Sequence, residues 1–292
     1  MRSPLPTLPT LVALAILGCG GGSSAPPGTG PRPTPLPNAP REWRIARRGD
    51  TAAYAVYLAA RVRGPDDGRG EVDDSTVTVA RLRLTMAPDG RTVAGVIDSI
   101  GIRGTGRVAA MPGRVDSVAF AGTVDADGRI RALAAGASTT GPVAPAAPIA
   151  CDVPAAVFAS IMHDVVVPLP SPQLAVGMRW TDTVTAVSCR GGLTITTVAI
   201  RRHELRRAAS LEGVDALEVD RESALQVEGE GTRGDRTYGV RGGGRERATL
   251  FVRPIDGALL RLDGESSLDM EFTAPDARTR LEQEGHRIIR RQ

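Results

Sequence analysis

The segment Ala258–Thr273 leaves the backbone little choice. Its even positions read Ala, Leu, Leu, Gly, Ser, Leu, Met, Phe, and its odd positions read Leu, Arg, Asp, Glu, Ser, Asp, Glu, Thr. An alternation of period two over that length puts oily side chains on one side of an extended strand and charged ones on the other. A strand of this length spans about 53 Å at about 3.3 Å per residue, well beyond the ordinary strand, so a bend is expected, with a bulge at Gly264. Leu217 to Val227 repeats the pattern: Leu217, Val219, Leu225 and Val227 face one way, and Glu218, Asp220, Glu222 and Gln226 the other.

The same logic predicts strands over 52–63, 75–86, 92–102, 115–124, 129–134, 179–187, 193–205, 216–227, 245–253 and 258–273. A last segment, 278–289, reads as strand or helix. Turn signals at Gly49-Asp50, Asp89-Gly90, Asp127-Gly128 and Asp256-Gly257 punctuate these runs. One helix stands out: Asp152 can cap it, Pro154 suits its first turn, and Val157, Phe158, Ile161, Met162 and Val165 mark one face. Pro168, Pro170 and Pro172 end it. Alternation with one charged face implies an antiparallel sheet packed on one side only. The expected fold is therefore mainly β, a long curved antiparallel sheet resembling an open half-barrel, with one short helix at the mid-chain connector.

The chain divides into residues 1–18, an apolar leader; 19–41, a Gly/Ser/Pro tether; 42–135, a β-rich half; 136–151, a Gly/Pro/Ala connector; and 152–292, the helix with a second β-rich half. The leader carries Arg2 and an apolar run ending at Gly18, too short to span a bilayer and of the length of a signal-peptide core. Ile16-Leu17-Gly18-Cys19 resembles the lipobox of bacterial lipoproteins. That resemblance implies cleavage before Cys19 and acylation of Cys19, with several chains together giving a stable anchor. Gly20, where an aspartate would signal inner-membrane retention in some bacteria, points to the outer membrane, facing the periplasm. A tether such as 20–41 cannot build a core and reaches about 25 Å as a coil, or about 70 Å as a polyproline helix. In an oxidising envelope, Cys151 and Cys189 are expected to form a disulfide, worth roughly 4 kcal/mol by chain entropy.

All 36 basic residues are arginine and the net charge is only +3. Arginines alternate with acids, so no concentrated basic surface of a nucleic-acid binder is visible. Gly229 to Gly234 matches GxGxxG, but no helix start follows it, and it reads as a loop. Asp125 and Asp127-Gly128 lack the twelfth-position acid of a calcium loop and read as a hairpin turn. Arg241-Gly242-Gly243-Gly244-Arg245 reads as a loop between strands, and Arg48-Gly49-Asp50 as a turn. Asp263/Glu265 and Asp269/Glu271 read as a solvated sheet face. His163, His203 and His286 show no ligand spacing, and no nucleophile constellation is legible. Neither a catalytic residue, a metal site nor a cofactor is expected.

Val176, Gly177 and Trp180, in the segment Leu169–Thr185, resemble a "VGxxW" strand entry of secreted bacterial β-sheet lipoproteins, which are similar to lipoprotein carriers of the LolA and LppX type. The resemblance implies an open sheet that holds acyl chains. On that expectation Leu260, Leu262, Leu268, Met270 and Phe272 form an apolar face, either lining a cavity for an acyl chain or lipoprotein or closing a core. The alternative function is an interaction lipoprotein that binds no apolar ligand and docks partners on its charged face.

Overall fold

The computed structural model describes residues 32–66, 70–105, 114–115, 118–135, 160–170, 173–190, 193–233, 236–275 and 277–292. The strands in chain order are β1 (Thr34–Pro35), β2 (Glu42–Arg44), β3 (Asp50–Asp66), β4 (Gly70–Met86), β5 (Thr92–Gly104), β6 (Arg114–Val115), β7 (Val118–Val124) and β8 (Ile130–Ala135). They continue as β9 (Gln173–Ala175), β10 (Arg179–Arg190), β11 (Leu193–Leu211), β12 (Val214–Arg233), β13 (Arg236–Val252), β14 (Leu259–Ala274) and β15 (Ala277–Arg291). Thirteen of them form one sheet, ordered β1-β11-β12-β13-β14-β15-β3-β4-β5-β7-β8, with β10 beside β11 and β6 beside β5. Every pairing is antiparallel. The sheet does not close into a barrel.

The segment 278–289 is strand, because both of its backbone edges find partners. β15 pairs with β14 on one side and with β3 on the other, so Gln283 lies between Leu268 and Val62. The two β-rich halves of the chain are thereby one continuous sheet. Its hairpins turn where aspartate-glycine pairs sit: Gly90, Gly128 and Gly257 take φ of 64°, 79° and 72°, a region glycine enters without a Cβ penalty. The β11–β12 hairpin instead turns through Glu212-Gly213, at φ 55° and 83°, the two left-handed positions of a tight primed turn. Gly49-Asp50 makes no hairpin; it leads directly into β3.

The helix, described over 160–165, lies on the inner face of the sheet. Ile161, Met162, Val165, Val166, Val167 and Leu169 pack with Val56, Leu58, Leu82, Leu250 and Leu262 in the main core. Burying side chains of this size contributes about 1.5–3 kcal/mol each. The segment after the helix ties the two edges of the sheet together. Leu169 N donates to Asp127 O at 2.7 Å, and Arg47 Nη2 donates to Val167 O at 2.5 Å. Arg129, beside edge strand β8, donates to Thr181 O of edge strand β10 at 3.4 Å.

β14 departs from simple alternation at one place. Phe251 pairs with Arg261 but Val252 pairs with Leu259, so Leu260 is an inserted residue. The bulge lies there and not at Gly264, which pairs with Ala248 in unbroken register. Leu259 and Leu262 consequently share the inner face, whereas Leu260 turns to the outer face against Leu211, Ala216 and Phe251. The expected grouping of Leu260 with Leu262, Leu268, Met270 and Phe272 is corrected accordingly.

Two glycine motifs expected to be loops are strand. Gly229 and Gly231 belong to β12, and Arg241–Arg245 to β13. A Cβ on Gly242 would lie 2.3 Å from Asp269 O, and one on Gly244 would lie 2.0 Å from Ser267 O. Glycine is required here for close approach to β14, not for turning. The expected tether also ends earlier than residue 41. Thr34 and Pro35 pair with Ser210 and Ala209 of β11, and Leu36 and Ala39 pack on the core.

The inserted residue separates the roles of two neighbouring leucines. Leu262→Ala should cost about 2–5 kcal/mol, and Leu260→Ala about 1 kcal/mol. Urea unfolding of both variants checks this, and equal losses would refute the assigned facing.

Candidate functional site

Polarity changes along the inner face. Below, toward the helix, lies the main core. Above, Ile195, Val227, Val240, Leu268, Met270, Phe272 and Leu281 form a second apolar cluster with Val62. Between the two runs a belt of charge. Arg201, Ser223 and Glu246 are direct cross-strand neighbours on β11, β12 and β13, and His203 and Arg221 neighbour each other one step below.

The helix supplies the centre of this belt. Asp164, fully enclosed, meets three guanidinium groups: Arg221 Nη1 at 2.9 Å, Arg201 Nη2 at 3.4 Å, and Arg287 Nη1 of β15. Arg221 also reaches Glu246 Oε1 at 2.7 Å, and Ser223 Oγ donates to the same oxygen at 3.3 Å. Arg201 Nη1 donates to His163 O at 2.8 Å. A charge without such partners could not be accommodated there. Burial pushes the Asp164 carboxyl upward, but Arg287, Arg221 and Arg201 outweigh it and hold the group well below the usual carboxylate range. Burial likewise opposes ionisation of Glu246, and Arg221 and Arg287 overcome it. Burial lowers Arg221, yet Glu246 and Asp164 raise it above the ordinary arginine value.

Beside the belt, His203 Nε2 stands 2.5 Å from Asp182 Oδ1, and the His203 ring stacks on Trp180 at 5.1 Å and 2°. Trp180 Nε1 donates to Pro168 O at 3.0 Å. Burial lowers the pKa of His203 against the pull of Asp182, and Asp182 is itself held low by that hydrogen bond in spite of burial. The arrangement fixes the proton on Nε2, pointing at the carboxylate. His203 Nδ1 then finds no hydrogen-bond partner among the described residues. His163, on the helix, is lowered to about 4 by burial and by Arg201.

The outer face carries a groove of about 950 Å³. Across it runs the row Arg202, Glu222, Arg247, Glu265, His286, one residue per strand from β11 to β15, at the sheet spacing of about 4.8 Å. Alternating sign in a cross-strand row favours the pairing. Arg206 bridges Asp220 and Glu204, both at 2.7 Å, and Arg179 meets Glu204 at 2.9 Å. Arg202 and Glu265 form no ion pair among the described residues, which leaves one free charge of each sign. Asp263 and Glu265 lie in this groove, and Asp269 and Glu271 line a neighbouring outer depression. No group of three or more metal-ligating side chains occurs among the described residues.

The predicted site residues fall as follows. Cys19 and Cys151 lie outside the described residues, and Cys189 belongs to β10 by its backbone. Leu262, Leu268, Met270 and Phe272 share the inner face and are at most 4% exposed, but they divide between two clusters. A void against Leu262 measures about 20 Å³, too small for an acyl chain. The charged belt is the feature that residue patterns passed over. Its signal was present: Arg221 and Ser223 occupy the oily register between Val219 and Leu225. No protein-family model matches this chain, and no curated protein sequence matches it.

Two measurements test the belt. Asp164→Ala leaves three guanidinium groups without their shared carboxylate and should cost about 3–5 kcal/mol, read as a lower urea midpoint. Stability should also fall with acidification in two stages. His163 and His203 have depressed folded pKa values, so their contribution is present above the unfolded value near pH 6.5 and is lost as pH falls below it, toward about 4 for His163. Asp164, Asp182 and Glu246 are depressed too, so theirs is lost only below the ordinary carboxylate range. Urea midpoints across this range check the order, and His163→Gln should flatten the upper stage alone.

Proposed function

We propose that this protein is a lipid-anchored, non-enzymatic component of the bacterial envelope, held at the outer membrane by Cys19 and facing the periplasm. Its open sheet serves as an interaction platform. The observation that carries this reading is the filled inner face. Leu262, Leu268, Met270 and Phe272 are buried against other protein side chains, which supports a closed core over a lipid-holding cavity. The outer groove is where a partner docks, and its alternating charges suit a polypeptide of mixed charge. In such a compartment Cys151 and Cys189 pair as a disulfide.

Two arms of one experiment test this. The wild-type protein should partition with membranes. The full mature chain carrying Cys19→Ser, exported behind a leader removed by ordinary signal peptidase, should be released by a mild osmotic wash. That soluble form, purified without detergent, should carry no stoichiometric acyl species by lipid mass spectrometry. One bound lipid per chain would overturn the closed-core reading in favour of a carrier, and acyl-free Cys19 in the wild-type protein would overturn the anchor.

A further inference from the structure

The hairpin order places the turns that follow β11, β13, β4 and β7, together with the end of β15, at one end of the sheet. The N-terminal arm crosses that same end. Leu36 N donates to Ala208 O at 3.2 Å, Val176 N to Arg41 O at 3.1 Å, and Ala46 N to Ile255 O at 3.1 Å. Further along, a Cβ on Gly49 would touch Pro88, and one on Gly90 would touch Arg47. The arm thus joins the β9–β10, β13–β14 and β4–β5 turns into one surface.

That surface has an unusual composition. Val176, Val214 and Ile255 are 46%, 47% and 57% exposed, each at a turn of this end, where nothing in the fold requires an oily side chain. Arg32, Arg41, Arg44, Arg48 and Arg91 are exposed there too, and none forms an ion pair among the described residues. On the outer face Arg61, Arg63, Arg83, Arg179, Arg206, Arg207 and Arg241 are paired, while Arg81, Arg202 and Arg245 also form no ion pair among the described residues. Eight acids share the end, of which Asp50, Asp125, Asp127 and Asp256 pair with Arg253, Arg131, Arg129 and Arg253, and four are exposed. Glu42 accepts from Gln173 at 2.7 Å, and Asp89 accepts from the backbone of Arg91 and Thr92. Glu212 and Asp215 stand together at the β11–β12 turn, away from the arginines at Arg44, Arg48 and Arg91. Unpaired guanidinium groups beside exposed branched aliphatic residues are the two contributions that hold a protein surface on an anionic bilayer.

We infer that this end of the sheet seats on an anionic phospholipid surface through Arg41, Arg44, Arg48 and Arg91, with Val176 and Ile255 entering the headgroup layer. The proposal takes its orientation from the anchor proposed above. Only residues 20–31 separate Cys19 from the described arm, and twelve residues of any conformation span at most about 43 Å. The domain then lies against the membrane by this end and turns the outer groove sideways, into the surrounding space, rather than floating clear of the lipid.

The test uses the full mature chain with Cys19→Ser, so that no acyl chain contributes. It is sedimented with vesicles of pure phosphatidylcholine and with vesicles containing about 30% phosphatidylglycerol. Binding should be confined to the anionic vesicles and vanish in about 0.5 M salt. Arg44→Glu combined with Arg48→Glu should weaken it at least about tenfold. Ile255→Ser should weaken it with an unchanged Tm, whereas Arg245→Glu, midway along β13 on the outer face, should leave it unaltered. Equal binding to both vesicle types, or no loss in the reversed pair, would overturn the proposal, as would an equal loss with Arg245→Glu. Because the acyl chain is absent throughout, an unacylated Cys19 would remove the anchor without touching this result.

Discussion

A sheet this wide has one oily face and, among the described residues, a single short helix against it, and the contact between them depends on Asp164. Burial in the main core holds one side of the helix, but it is not directional. The carboxylate adds direction. It meets guanidinium groups from β11, β12 and β15 at once, so the helix has one position along the strands and one rotation about its axis. Charge-assisted pairs of this kind contribute geometry as much as energy. The network also takes in β13 through Glu246, so one helix side chain is linked to four of the five strands from β11 to β15.

The outer face solves a different problem. It has water on one side and no second layer, so its side chains organise each other. The row from Arg202 to Glu265 alternates in sign from strand to strand, and Arg206 and Glu204 each take two partners. Exposed pairs of this sort contribute little singly. Their arrangement nonetheless leaves a groove of low net charge beside an end of the sheet where Arg41, Arg44, Arg48 and Arg91 form no ion pair among the described residues. The two surfaces therefore differ in what they can attract, although both are built from the same residue types.

Much of the fold was legible in the sequence. Strand positions followed from alternation, and three of the four aspartate-glycine pairs mark real hairpins. What escaped has physical causes. The bulge at Leu260 reverses which neighbours share a face, and alternation alone cannot show an inserted residue. The glycines of β13 look like a loop because composition does not distinguish freedom to turn from room to approach. β15 was ambiguous because its oily residues are few, and only pairing on both sides settles it as strand. The belt was legible in part: Arg221 and Ser223 interrupt an otherwise oily register. Its partner Asp164, on the helix, could not be linked to them without a structure.

The position of β15 has a consequence for how the molecule is made. The last strand of the chain stands near the middle of the sheet, and Arg63 reaches Glu284 across 221 residues of sequence. Contacts so distant along the chain form slowly. Until β15 has been made, β3 has an open edge and the N-terminal half has no neighbour on that side. A polypeptide emerging N-terminus first cannot join its two halves before that strand arrives; β3 must be kept from pairing wrongly until then, and a nonsense mutation ahead of β15 would divide the sheet in two.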